Sequence, residues 1–149
     1  MPGSPAGCAF CAIASGRAEA TRVLADDVAV AFLDRRPLFP GHVLLIPRAH
    51  HAVLAELPEP LVGPLFARVR RLARAVERAL DAEGSLVALN NRVSQSVAHL
   101  HVHVVPRRTG DGLRGFFWPR TRYAGPEDAE RVGAAIRAAL AGDGDGAGA

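Results

Sequence analysis

His99, His101 and His103 stand at alternate positions in His99-Leu100-His101-Val102-His103-Val104-Val105, and they are three of only six histidines in the chain. Side chains alternate across an extended strand, so the three imidazoles are predicted on one face, with Leu100, Val102 and Val104 turned towards a core on the other. Two chemistries could use such a row. A metal centre needs ligand nitrogens converging to about 2.0–2.1 Å from one ion. The outer Cα atoms of this stretch lie about 13 Å apart at ~3.3 Å per residue, which disfavours one site built from all three. Nucleophilic attack on phosphorus needs a single imidazole with one nitrogen free, its other nitrogen donating a hydrogen bond that fixes the tautomer. The middle residue, His101, has a histidine on either side to orient it and exchange protons. Cys8 and Cys11, three residues apart, form a second constellation. Two thiolates supply half of a tetrahedral zinc site, with a redox pair as the competing reading.

The elements that must carry these groups are legible in the hydrophobic pattern. Strands are predicted over residues 27–33, 42–46, 86–90 and 97–105, with a short fifth at 22–25; Pro47 and Pro106 close two of them. Leu61, Leu65, Val69, Leu72, Val76 and Leu80 recur at helical spacing between the second and third main strands. The first turn of that helix is placed near Pro60 and Pro64, where the missing N–H does no harm. A second helix is predicted over residues 126–141, begun by Pro126 and complemented at its positive end by Glu127 and Asp128. Most strand pairs lack a crossover helix, so the fold class is α+β with an antiparallel sheet of about five strands.

A chain of 149 residues fits one domain, and 49% hydrophobic with 22% charged residues is an ordinary globular balance. Residues 1–7 and 142–149 lack the apolar side chains that offset ordering entropy, so a single domain over residues 8–141 is expected, with disordered ends. The net charge of +3 comes from arginines spread along the chain. Diffuse arginine reads as a solvated surface, so a nucleic-acid partner is not expected, while a small polyanion is electrostatically welcome. No apolar run of membrane-spanning length and no secretory signal is seen, which makes a cytoplasmic location the default and no membrane partner the expectation. In that reducing compartment a structural disulfide between Cys8 and Cys11 is not expected.

The triad segment, with Cys8-Ala9-Phe10-Cys11, Ala31-Phe32-Leu33-Asp34, Pro40-Gly41-His42-Val43-Leu44-Leu45-Ile46-Pro47 and Gln95-Ser96-Val97, resembles the histidine-triad (HIT) superfamily from Cys8 to Arg107. The likeness is to its bacterial zinc-containing branch. It implies a HIT-like fold, completed as a homodimer through the long helix and a strand. It also implies an enzyme that cleaves nucleotides at the α-phosphate through a covalent nucleotidyl-histidine, acting on dinucleoside polyphosphates or nucleoside phosphoramidates. A nucleotide-binding sensor with weak turnover and a nucleotidyl transferase or phosphorylase are the alternative readings.

Roles carry over residue by residue from that resemblance. His101 is the nucleophile, and His99 and His103 orient it and meet phosphate or leaving-group oxygens, with Ser96 and Gln95 hydrogen-bonding nearby. Asp34 binds the ribose hydroxyls, a charge-assisted contact. Phe10 and Phe32 form an apolar slot for a base, expected to be a purine, and His42 and Asn90 complete the substrate-binding set. The metal ligands implied are Cys8, Cys11, His50 and His99 around a structural zinc, with His51 left as a solvated turn residue. Arg107, Arg114 and the aromatics of residues 116–123 are further candidates for substrate contact.

Overall fold

The computed structural model describes residues 5–114 and 120–143, and the chain divides into two compact units, Met1–Asp111 and Gly112–Ala149. In the first unit the element order is α1 (Ala9–Ala14), β1 (Arg22–Ala25), β2 (Ala29–Leu33), β3 (Val43–Pro47), a 3₁₀ turn (Leu54–Glu56), α2 (Glu59–Ala79), β4 (Gly84–Ala88) and β5 (Val102–Arg107). The strands form one antiparallel sheet in the order β1-β2-β3-β5-β4. Period-2 alternation then sorts the core into two layers. Ala29, Ala31, Val43, Leu45, Leu100, Val102 and Val104 pack against Leu65, Val69, Leu72 and Val76 of α2. Val30, Phe32, Leu44 and Ile46 pack on the opposite face against Phe10, Ile13 and Ala14 of α1. Leu44 stands directly opposite His103 in the β3–β5 ladder, so His103 belongs to the α1 face.

Several boundaries differ from the sequence expectation. The triad strand begins only at Val102, because the backbone before it is engaged elsewhere: the Leu100 N–H donates to the His51 carbonyl at 2.6 Å, and the His99 carbonyl accepts from a side chain. The side-chain alternation survives, with Leu100 buried in the α2 layer. β5 runs through Pro106 to Arg107. The Arg107 carbonyl faces β4, so Pro106 faces β3, whose ladder ended at Val104, and its missing N–H is not needed. β4 covers residues 84–88 and not 86–90, because its pairing with β5 stops at Ala88–His103 and leaves Leu89 and Asn90 without a partner strand. α2 starts at Glu59 and tolerates Pro64 inside its second turn. Residues 5–7, expected outside the fold, form a turn in which the Cys8 N–H donates to the Pro5 carbonyl at 3.1 Å.

Gly41 has φ +95°, and a Cβ there would meet Leu80 and Pro106, so only glycine lets the chain turn tightly into His42 and β3. In the second unit α3 spans Pro126–Asp143, two residues beyond the end predicted for it. Its N-terminus is closed by Asp128, which accepts from the Ala124 N–H at 3.1 Å. No helix among the described residues is long and apolar enough to cross a membrane.

Candidate active site and metal-ligand cluster

A cleft of 1090 Å³ opens on the α1 face of the sheet. Phe10 and Ile13 of α1, Phe32 of β2 and Leu44 of β3 give it an apolar lining, and Asp34, Ser96, His101 and His103 bring polar groups into the same space. His101 is buried, its ring edge-on to Phe10 with centroids 5.1 Å apart. His101 Nδ1 lies 2.7 Å from the His99 carbonyl oxygen. A carbonyl can only accept, so Nδ1 carries the proton and Nε2 keeps its lone pair. Nε2 makes no hydrogen bond among the described residues. The His101 tautomer is therefore set by main chain two residues back.

A second tautomer chain runs beside it. The Leu38 N–H donates to His42 Nδ1 at 3.1 Å, so His42 holds its own proton on Nε2, 2.9 Å from His103 Nδ1. His103 Nδ1 accepts, which leaves the His103 proton on Nε2 as a donor. Asp34 Oδ2 lies 3.8 Å from His42 Nε2. Asp34, His42 and His103 thus come close enough to share an ion. An ion would need the His42 Nε2 lone pair, however, and that nitrogen is protonated while Nδ1 is taken by the Leu38 amide. The cluster is a hydrogen-bond relay.

Burial is the main reason His103 is depressed to about 4, with His101 and His42 opposing its charge; burial likewise lowers His42. Both are neutral at pH 7. A histidine whose folded pKa is depressed favours the unfolded chain once it protonates, so stability is complete above pH 6.5 and falls as pH drops through 4. At ~1.4 kcal/mol per pH unit, His103 accounts for about 3 kcal/mol of that loss. Denaturant unfolding at pH 7 and pH 4.5 should show the decline, and His103→Gln should reduce it, His42 and His99 keeping their own share.

Cys8 at the N-cap of α1, Cys11 within it, His50 after β3 and His99 before β5 converge so that their ligand atoms all lie within 4.8 Å of one another. His99 Nδ1 is 3.6 Å from Cys8 Sγ and 3.4 Å from Cys11 Sγ, and His50 Nδ1 is 3.3 Å from Cys11 Sγ. His99 Nε2 lies 2.9 Å from the Pro47 carbonyl and must donate to it, so its Nδ1 lone pair is directed at the sulfurs. Burial holds His99 at about 4, which keeps it neutral and able to ligate. No disulfide joins the two cysteines. Two thiols and two imidazoles in this arrangement can hold a metal ion.

The HIT domain family model matches residues 15–110. The chain belongs to the HIT family. An uncharacterized HIT-like protein of Mycobacterium tuberculosis is 36% identical over 139 residues, covering 90% of this chain and 93% of the relative. The crystal structure of a Zn-bound histidine triad family protein from Mycobacterium smegmatis superimposes with a TM-score of 0.69 at 39% identity, covering 93% of this chain and 96% of that one. Three of the similar proteins that carry enzyme names show the range of activities. They are an adenylylsulfatase of Arabidopsis thaliana (32% identical, 71% of this chain and 55% of the relative), an asymmetrical bis(5'-nucleosyl)-tetraphosphatase of Schizosaccharomyces pombe (34%, 56% and 47%) and an adenosine 5'-monophosphoramidase of Candida albicans (30%, 78% and 80%).

In this HIT domain the cleft gathers Phe10, Phe32, Asp34, Ser96, His101 and His103, while His42 reaches it through His103. Gln95 and Asn90 do not line it. The Gln95 amide donates to the Ala52 carbonyl at 2.6 Å and accepts from the Arg92 N–H at 2.8 Å, and the Asn90 amide donates to the Ser94 carbonyl at 3.2 Å. Both hold the loop ahead of the triad. His51 is half-buried, with its Nε2 unpartnered among the described residues, and is not a solvated turn residue. Arg107 is engaged with Asp111 at 2.6 Å. Arg114 and Tyr123 belong to the second unit, and Phe116, Phe117 and Trp118 lie outside the described residues. Sequence reasoning missed Ile13 and Leu44, although Ile13 sits one helical turn from Phe10. It also missed the groups that set the tautomers, the His99 and Pro47 carbonyls and the Leu38 N–H, which no side-chain type announces.

Proposed function

We propose that this HIT protein is a nucleotide hydrolase acting at the α-phosphate through a covalent nucleotidyl-His101 intermediate. The observation that carries the reading is the 2.7 Å contact of His101 Nδ1 with the His99 carbonyl, which leaves Nε2 as the one triad lone pair not already engaged. In the first step Nε2 attacks the α-phosphorus; an N–P bond forms, and the P–O or P–N bond to the leaving group breaks with its electron pair. Nδ1–H stays on the His99 carbonyl and shares the positive charge that the ring gains. His103 Nε2–H, held by the His42 and Leu38 chain, donates to a phosphate oxygen as negative charge builds there. Ser96 Oγ is the side chain available to pass a proton to the leaving group. Water then attacks phosphorus and gives a proton back to Ser96 Oγ, the N–P bond breaks with its electron pair returning to Nε2, and neutral His101 is left with the nucleoside monophosphate.

The substrates this predicts are nucleotides with a leaving group on the α-phosphate, purine dinucleoside polyphosphates and nucleoside phosphoramidates among them. The base packs between Phe10, Ile13, Phe32 and Leu44, and Asp34 accepts from the ribose hydroxyls. Asp34→Ala is expected to raise KM about 10–100-fold with a small change in kcat, since a hydrogen bond to a charged group contributes ~1.5–3 kcal/mol. A 2'-deoxy substrate should lose affinity with the wild type and little more with the variant. The direct test is incubation with diadenosine tetraphosphate and adenosine phosphoramidate separately: release of adenosine monophosphate supports the reading, and binding without turnover of either replaces it with a sensor.

Zinc is the metal we assign to Cys8, Cys11, His50 and His99. Bond lengths of ~2.3 Å to sulfur and ~2.0–2.1 Å to nitrogen put tetrahedral ligands about 3.4–3.8 Å apart, close to the 3.3–3.6 Å separations of three sulfur–nitrogen pairs here, with all four ligand atoms within 4.8 Å. Bound there it supplies a cross-link between α1, the end of β3 and the approach to β5, and no chemistry on the substrate. We further propose a homodimer through α2 and β4, whose Val62, Phe66 and Val87 are exposed; light scattering at micromolar concentration would read it.

A further inference from the structure

Helix α1 is the shared wall of two sites. Cys8 and Cys11 point to the metal-ligand cluster, and Phe10 between them lines the cleft. The two ends of the helix are held differently. Its C-terminal carbonyls are gripped by the chain around them: Arg22 donates to the Ile13 carbonyl at 2.6 Å, Arg48 to the Ala14 carbonyl at 3.0 Å, and the Arg17 N–H to the Ala12 carbonyl at 2.8 Å. At the N-terminal end the cysteine sulfurs reach His50 and His99. Phe10 sits at that end, its ring edge-on to His101, His99 and Phe32. His99 makes a second connection: its ring belongs to the metal cluster and its carbonyl holds His101 Nδ1.

We propose that metal binding at Cys8, Cys11, His50 and His99 and nucleotide binding in the cleft are energetically coupled, with Phe10 and the His99 backbone as the coupling groups. The inference rests on the zinc and nucleotide assignments above and adds that neither site has its full affinity alone. A metal fixes the N-terminal turn of α1 and so the face against which a base packs; a nucleotide packed on Phe10 fixes the same turn and so the sulfur positions. Coupling of this kind is reciprocal: the factor by which one ligand tightens the other is the same in both directions.

The test is zinc competition between the full-length protein and a chromophoric chelator, with and without saturating adenosine monophosphate, the product, which is not turned over. Adenosine monophosphate should lower the zinc Kd about tenfold, within the usual range of such couplings. Metal-free protein should in turn bind adenosine monophosphate about tenfold more weakly. Phe10→Leu, which keeps an apolar side chain and should keep the fold, is expected to reduce the factor to about two while leaving zinc bound. Equal zinc affinity with and without bound nucleotide overturns the coupling alone. Failure of the protein to bind zinc, or to bind adenosine monophosphate, overturns the underlying site assignment and the coupling with it.

Discussion

His101→Ala is expected to lower kcat for adenylyl substrates by about 10⁴-fold or more, the scale seen when a covalent nucleophile is deleted, while the Kd for adenosine monophosphate changes only a few-fold. Two features of the site set that asymmetry. In the proposed mechanism His101 Nε2 alone forms the bond to phosphorus, so its removal closes the two-step route. The surfaces proposed to bind the nucleoside, Phe10, Ile13, Phe32, Leu44 and Asp34, belong to α1, β2, β3 and the turn after β2, and remain intact. Steady-state kinetics with calorimetric titration of the same variant checks both halves. His103→Ala should fall less far, because it removes a hydrogen-bond donor and not the nucleophile; loss of one such donor is worth about 10²–10³ in kcat.

Stripping zinc is expected to lower Tm by about 10 °C, and Cys11→Ser should lower it by a similar amount without any chelator. A ligand present at 1,000 times its Kd stabilises by about 4 kcal/mol, and each kcal/mol moves Tm about 2–4 °C in a chain near this length. Scanning calorimetry before and after chelation, with zinc added back, measures it. A reductant should have no such effect, which separates the metal cross-link from a redox pair. No disulfide joins the two cysteines, and both sulfurs face the imidazoles. The Pro47 carbonyl holds the His99 ring in place even without an ion, so the loss is a shift of the melting transition and not its abolition.

Much of this architecture is written in side-chain patterns. The Leu61-to-Val76 stripe predicted α2, the apolar runs predicted all five strands, and alternation predicted that Leu100, Val102 and Val104 would be buried opposite the histidines, as they are. What the pattern could not carry was main-chain allocation. His99 and His101 look like strand residues, yet the His99 carbonyl accepts from the His101 ring and the Leu100 N–H between them donates to the His51 carbonyl, so β5 starts late. The family resemblance offers Asn90 and Gln95 as substrate ligands, and here their amides meet loop carbonyls and an amide that a sequence does not display. The His42 relay depends on the Leu38 N–H, an anchor any residue other than proline could supply. Residue identities marked where the chemistry sits; tautomers and proton positions required the fold.

The most direct measurement of the central claim is rapid acid-free quenching of the wild-type protein during turnover of adenosine phosphoramidate, followed by intact-protein mass spectrometry and peptide mapping. The account predicts a transient gain of one adenylyl group, located on His101 and decaying as adenosine monophosphate appears. Turnover with no adduct at any time before steady state, or an adduct carried by a different residue, would contradict it.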